Sequence, residues 1–189
     1  MDKKAIQADT EDAENKQIFV PLKEVLKNST TNENKLRWCN QLIKKLYIIH
    51  TGDAHCAMCL ESLKIDQNQN LVLVNVVKNP RDQQQTIDIQ FKAPELIYRG
   101  NQQTKAGDVW ATAICILYIL NSSFPWRVAD VGDKSFCKWK KKFILACDLS
   151  EPFDTVVRQM LCIEPTSRIK VEKILKNMWV KRSEGQVLG

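Results

Sequence analysis

The sequence predicts a mainly α fold that carries one small β-hairpin. Three observations point there. Residues 109–120 are apolar on every face except at Thr112, the pattern of a helix enclosed by protein or lipid. Five further segments repeat apolar residues at three- and four-residue steps. Only two short runs, 62–65 and 71–77, have β-like composition, and a polar stretch of hairpin type divides them. A helix over 109–120 rises about 18 Å, against about 30 Å of bilayer hydrocarbon, so it is read as the centre of a globular core and not as a membrane span.

Taken in order, residues 1–17 are polar and aperiodic and are expected as a flexible tail. Pro21 near a first turn, then Leu22, Val25 and Leu26, predict a short amphipathic helix over 19–28. A polar loop over 29–34 follows. Leu36, Cys39, Ile43, Leu46, Tyr47 and His50 form one apolar stripe of a longer helix, closed by Thr51, Gly52 and Asp53. The hairpin comes next, then a polar surface loop over 78–90. In the central segment 104–126, Asp108 stands where a side-chain cap belongs, and Asn121, Ser122, Ser123 and Pro125 end the run. After a loop over 128–134, three amphipathic helices are predicted. They are carried by Phe136, Trp139, Phe143 and Ile144; by Phe153, Val156, Val157, Met160 and Leu161; and by Val171, Ile174, Leu175 and Met178. The organisation expected is one domain over 18–182 between a tail at 1–17 and a tail at 183–189.

At 189 residues, 44% hydrophobic and 26% charged, the chain is long enough and apolar enough for one buried core. It has neither the apolar centre of a secretory signal nor the acid-poor start of a transit peptide, so cytoplasm or nucleus is expected, with no membrane association. The seven cysteines are then read as reduced, mostly buried small hydrophobes. The net charge of +6 is concentrated at 134–142 and 170–182, while Asp9, Glu11, Asp12 and Glu14 make the start acidic. The basic residues are read first as a solvated face. An acidic-partner or nucleic-acid surface from Lys134 to Arg182 is the sharper alternative, though nothing base-reading accompanies it.

Four words of sequence, in register, resemble the C-terminal lobe of a eukaryotic protein kinase. Ala93-Pro94-Glu95 resembles the word that ends the activation segment. Gly107-Asp108-Val109-Trp110-Ala111 resembles the opening of the lobe's central helix, and Phe124-Pro125-Trp126 the word that follows it. Met160-Leu161, Pro165, Arg168, Ile174-Leu175 and Trp179 resemble the lobe's close. The likeness runs from about Phe19 to Trp179, and the wording around Asp108 and Trp126 is further similar to fungal kinases of the halotolerance and permease-regulator type. The resemblance implies a C-lobe-like helical domain with Glu95 ion-paired to Arg168. It also implies that Asp108, beside Trp110, holds the catalytic loop from beneath.

The same resemblance implies that catalytic positions are degenerate. Residues 54–66 fall on the family's catalytic loop, with His55, Glu61, Leu63 and Asp66 matching. Ala57 stands at the catalytic aspartate, Cys59 at the lysine and Ser62 at the metal-binding asparagine; Asn75-Val76-Val77 replaces the magnesium motif. An alanine methyl cannot accept a substrate proton, and an amide is a poorer magnesium ligand than a carboxylate. No glycine-rich phosphate loop or nucleotide lysine is found, and the N-terminal lobe is expected to be missing. The chain is therefore expected to be a truncated pseudokinase and no enzyme, with no cofactor and no metal.

A lobe without its roof would expose Phe19, Val20, Leu22, Leu71 and Leu73, and contiguous exposed apolar surface marks a partner site. The function expected is a protein-interaction, scaffold or regulatory subunit. Alternatives are a nucleic-acid-associated subunit and one half of a split ATP-binding kinase. A zinc site at His50, His55, Cys56 and Cys59 has the right ligand types but no second C-x₂-C pair, and the kinase register already accounts for these positions. Phosphorylation at Thr86 would lack its receiving arginine, which Cys56 replaces.

Overall fold

Helix α4, Lys105–Asn121, runs through the centre of the molecule, with every residue from Gly107 to Leu117 buried. The computed structural model describes residues 18–52, 58–74, 88–98, 104–145, 149 and 153–176. The predicted tails, the magnesium-motif positions and Met178 lie outside these. The fold is mainly α, a kinase C-lobe-like helical domain with a small sheet.

Thr104, not Asp108, caps α4: its hydroxyl accepts from the Gly107 amide at 3.0 Å. Asp108 lies one turn inside the helix, where its carboxylate is buried and used elsewhere. At the far end Ser122 takes the left-handed conformation, φ 56°, and its amide closes on the Tyr118 carbonyl at 2.8 Å.

Helix α2, Asn32–Thr51, begins earlier than its apolar stripe suggests, because the Thr31 hydroxyl accepts from the Asn34 amide at 3.2 Å and starts it within the polar stretch. Its buried face holds Trp38, Cys39, Leu42, Ile43, Leu46 and His50, whereas Leu36 is 42% exposed. That face packs on α4 and on α7, Val171–Leu175.

The sheet has three antiparallel strands in chain order, one more than the sequence predicts: β1 Val20–Pro21, β2 Leu63–Ile65 and β3 Leu71–Leu73. Val20 pairs with Ile65, and Leu63, Lys64 and Ile65 pair with Leu73, Val72 and Leu71. The helix predicted over 19–28 is therefore corrected: β1 takes its start, and α1 is only Leu22–Val25. A single 3₁₀ turn, Leu60–Ser62, precedes β2, so the first strand begins one residue later than predicted.

The β2–β3 turn is tied to α2. Asp66 Oδ1 accepts from the amides of Asn68 and Asn70 at 2.9 and 2.8 Å. From α2, Trp38 Nε1 donates to the Gln69 carbonyl at 2.8 Å, and Gln41 Oε1 accepts from the Leu71 amide at 2.7 Å.

Helix α3, Pro94–Tyr98, leads toward α4; α5, Lys134–Lys142, and α6, Phe153–Met160, complete the set. Trp126, just after α4, joins α5 to the core: its ring lies 5.8 Å from Trp110, 5.3 Å from Phe136 and 6.4 Å from Trp139. Aromatic neighbours at such separations add about 0.5–1.5 kcal/mol each beyond burial. The predicted apolar face of α5 is corrected at its end. Phe143 lies past the helix at φ 54°, and Phe143 and Ile144 are 59% and 53% exposed.

Candidate functional site

Three features make up the candidate site: a buried contact between α2 and α4, the turn before β2, and the outer edge of the sheet. The last turn of α2 carries His50 inward, and the first turn of α4 presents Asp108 to it. His50 Nε2 lies 3.1 Å from Asp108 Oδ2, with both side chains buried. One turn earlier on α4, Lys105 Nζ donates to the His50 carbonyl at 2.8 Å. The first turn of α4 thus fixes both the ring and the backbone of His50, and with them the direction in which the chain leaves α2.

The chain is described again at Met58, which is fully buried, and at Cys59. Ser62 closes this turn on itself: its hydroxyl donates to the Cys59 carbonyl at 2.7 Å and accepts from the Cys59 amide at 3.4 Å. The Ser62 carbonyl in turn accepts from the Val74 amide at 2.8 Å, joining the turn to the end of β3. Burial pushes the Cys59 thiol up, against the lowering pull of its hydrogen bonds with Ser62, so it stays protonated at neutral pH and is a poor nucleophile.

Glu95 on α3 and Arg168 between α6 and α7 form a two-bond pair, Nη1 to Oε1 at 2.7 Å and Nη2 to Oε2 at 2.9 Å. Arg168 also donates to the carbonyls of Cys162 at 2.9 Å and Ala106 at 2.7 Å, and its guanidinium lies 5.0 Å from the Trp110 ring. One planar cation thereby joins α3, α4 and the chain after α6, which a lysine's point charge could not do. The Ala106 and Trp110 contacts have no sequence signal of their own, beyond Trp110 lying one turn along α4.

The apolar residues expected at the surface divide. Val20 is 42% exposed and Ile18, just before it, is 64% exposed; Phe19 and Leu73 are half-buried. Leu22 and Leu71 are corrected: both are buried, because they face inward from α1 and β3 into the core. Ala57, Asn75, His55, Cys56 and Thr86 lie outside the described residues, so the structure neither assembles nor separates those positions. Among the described residues no cluster of three His, Cys, Asp or Glu side chains could hold a metal. Of the zinc candidates, His50 points to Asp108. No helix of the described residues is long and apolar enough to cross a membrane.

Known proteins bear on this geometry. A family model described as "Protein kinase domain" matches residues 10–180. The chain is 24% identical over 164 residues to a probable serine/threonine-protein kinase KIN1 homolog of Encephalitozoon cuniculi, covering 78% of this chain and 27% of that protein. It is 27% identical over 165 residues to the fatty acyl-CoA synthetase and RNA processing-associated kinase 1 of Saccharomyces cerevisiae, covering 78% and 19%. It is 22% identical over 182 residues to a serine/threonine-protein kinase SIK3 homolog of Danio rerio, covering 93% and 15%. The chain thus spans about a quarter or less of the length of these relatives. The expectation that it is no enzyme is corrected by these matches: a kinase family model and relatives named as kinases point to an enzyme family.

Proposed function

Because the chain belongs to the protein kinase domain family, we infer that it serves within that family as a docking and regulatory module, gripping a protein partner along the outer edge of β1. The observation that carries this reading is the exposure of Ile18, 64%, just before β1 and of Val20, 42%, on it, at an edge strand with no neighbour on its other side among the described residues. Val20 also rims a cavity of about 470 Å³ with Val25 and Trp38, which gives an incoming side chain a place to go. Pro21 removes a backbone donor from this edge, so a partner would be held there by side-chain packing more than by strand pairing. Beside it, the β2–β3 hairpin tied to α2 through Trp38 and Gln41 keeps the face rigid.

The test is a complex reconstituted from the purified chain and its co-purifying protein, measured by light scattering. Ile18→Asp with Val20→Asp should abolish the complex while leaving the helical content intact. An undiminished complex would sink the reading.

The kinase names of the relatives favour a second reading, in which the chain takes part in phosphoryl transfer. In that case the first turn of α4 would hold the loop that follows α2, through Asp108 on His50 and Lys105 on the His50 carbonyl. Transfer of the γ-phosphate from magnesium ATP by the chain with its partner, lost in Asp108→Ala, would support it.

A further inference from the structure

Away from the sheet edge, α5 packs five lysines and no acidic residue into nine positions, Lys134, Lys138, Lys140, Lys141 and Lys142, all exposed. None of them pairs with a carboxylate among the described residues. The helix ends on Phe143, held at φ 54°, a conformation that a bulky side chain adopts only against strain. Three contacts hold it there: its amide closes on the Trp139 carbonyl at 2.8 Å, its own carbonyl accepts from Arg158 Nη1, and its ring lies edge to face with that of Trp139 at 5.5 Å. The outcome is an aromatic ring 59% exposed, beside an isoleucine 53% exposed, at the most basic point of the chain.

Behind Phe143 lies a groove of about 970 Å³, running past Ile163 and Ile169 to Lys170 and Lys173 on the α7 side. Ile144 borders a second recess of about 130 Å³ with Pro125 and Lys138. The two arginines of the groove are already neutralised, Arg158 by Asp154 and Arg168 by Glu95, so the charge left open is that of the lysines, against Glu164 alone.

We propose that this groove binds an acidic peptide segment of a protein partner, whose one or two apolar side chains enter beside Phe143 while its carboxylates meet Lys140–Lys142, Lys170 and Lys173. Charge complementarity selects the acid. The concave, apolar floor selects a peptide over a flat anionic membrane, and Phe143 is the groove's single aromatic lining residue, short of the successive rings on which a single-stranded nucleic acid stacks its bases. The site is separate from the β1 edge and stands whether or not that edge binds a partner.

Fluorescence anisotropy of the full chain with a labelled Asp-Glu-Asp-Leu-Phe-Asp-Glu-Asp peptide tests it. Binding should weaken as salt rises from about 50 to about 300 mM, since exposed charge pairs are screened. It should weaken about tenfold or more in Phe143→Gly, the loss expected of a central aromatic anchor. Glycine suits φ 54°, which offsets the ring contact with Trp139 that the variant loses, and a thermal melt matching the parent's shows that the weaker binding is not unfolding. Lys141→Glu with Lys142→Glu and Lys173→Glu should remove binding, and a peptide with alanine in place of its leucine and phenylalanine should bind more weakly. Absence of binding, or equal binding by the alanine peptide and by Phe143→Gly, overturns the proposal. So does tighter binding of phosphatidylserine vesicles or of a single-stranded oligonucleotide, lost in the same variants.

Discussion

Arg168 and Glu95, 73 positions apart, face each other through two hydrogen bonds of 2.7 and 2.9 Å, with both side chains buried. The pair closes the chain on itself: α3 and the segment after α6 can each take their place only when the other is present. Removing either partner leaves a buried charge. Arg168→Ala or Glu95→Ala should therefore lower stability by about 3–5 kcal/mol in urea denaturation. Arg168→Lys should recover only part of this, because an ammonium cannot reach Glu95, Cys162 and Ala106 together. Equal stability of the lysine variant and the parent would refute the fork geometry.

His50→Ala should cost about 1–3 kcal/mol, the range for taking one partner from a buried polar contact. The loss should be accompanied by faster proteolysis within 51–57, because α4 no longer steers the exit from α2. A stable variant cut at the parent's rate would show that Lys105 alone suffices.

Asp133 caps α5, accepting from the amides of Ser135 and Phe136 at 2.8 and 3.0 Å and from Arg127 at 2.9 Å. Burial works to raise its carboxyl, but these amides and that of Val128 outweigh it and hold the group below its ordinary 3.8. A depressed carboxylate contributes stability above its unfolded value, and the contribution is lost as pH falls through the folded one. The cap should hold fully above about pH 5 and fade below pH 3.8. Asp133→Asn keeps an acceptor and should flatten the acid limb of thermal melts; an unchanged acid limb would rule the cap out.

Ser122→Gly should raise stability by about 1 kcal/mol, because φ 56° is strained for serine and free for glycine. Differential scanning calorimetry would read this as a higher Tm, and a lower one would mean the serine side chain has a role of its own.

Cys39 is fully buried and its thiol is pushed far up by that burial. In the folded chain at pH 8 it should resist iodoacetamide and become labelled only in denaturant, as should buried Cys115, while half-exposed Cys137 reacts before either. Mass spectrometry of the labelled peptides decides the order.

Much of this was open to reading in the residues. The apolar circumference of 109–120 announces α4, and the resemblance that four words carry implies the lobe and the Glu95–Arg168 pair. Other features were hidden for definite reasons. A two-residue strand such as β1 has no periodicity to detect, so Val20 and Pro21 read as the start of a helix. Thr31 caps α2 inside a polar stretch that looks like a loop. Phe143 and Ile144 fit the apolar pattern of α5, and only the left-handed turn at Phe143 carries them out to solvent. Leu22 and Leu71 read as surface because both stand in segments that face the N-terminal lobe in a kinase, yet α1 and β3 turn these two side chains into the core.

The bond from Leu71 to Gln41 has a consequence for how the molecule opens. Leu71 lies on an edge strand, where an amide with no partner would exchange with deuterium almost at once. Here its hydrogen belongs to a glutamine on α2, and the neighbouring turn hangs from Trp38 of the same helix. The Leu71 amide should therefore exchange at the pace of α2 and not of a frayed edge. Helix and hairpin would open together as one cooperative unit, so a partner gripping the sheet would also tighten a helix it never touches.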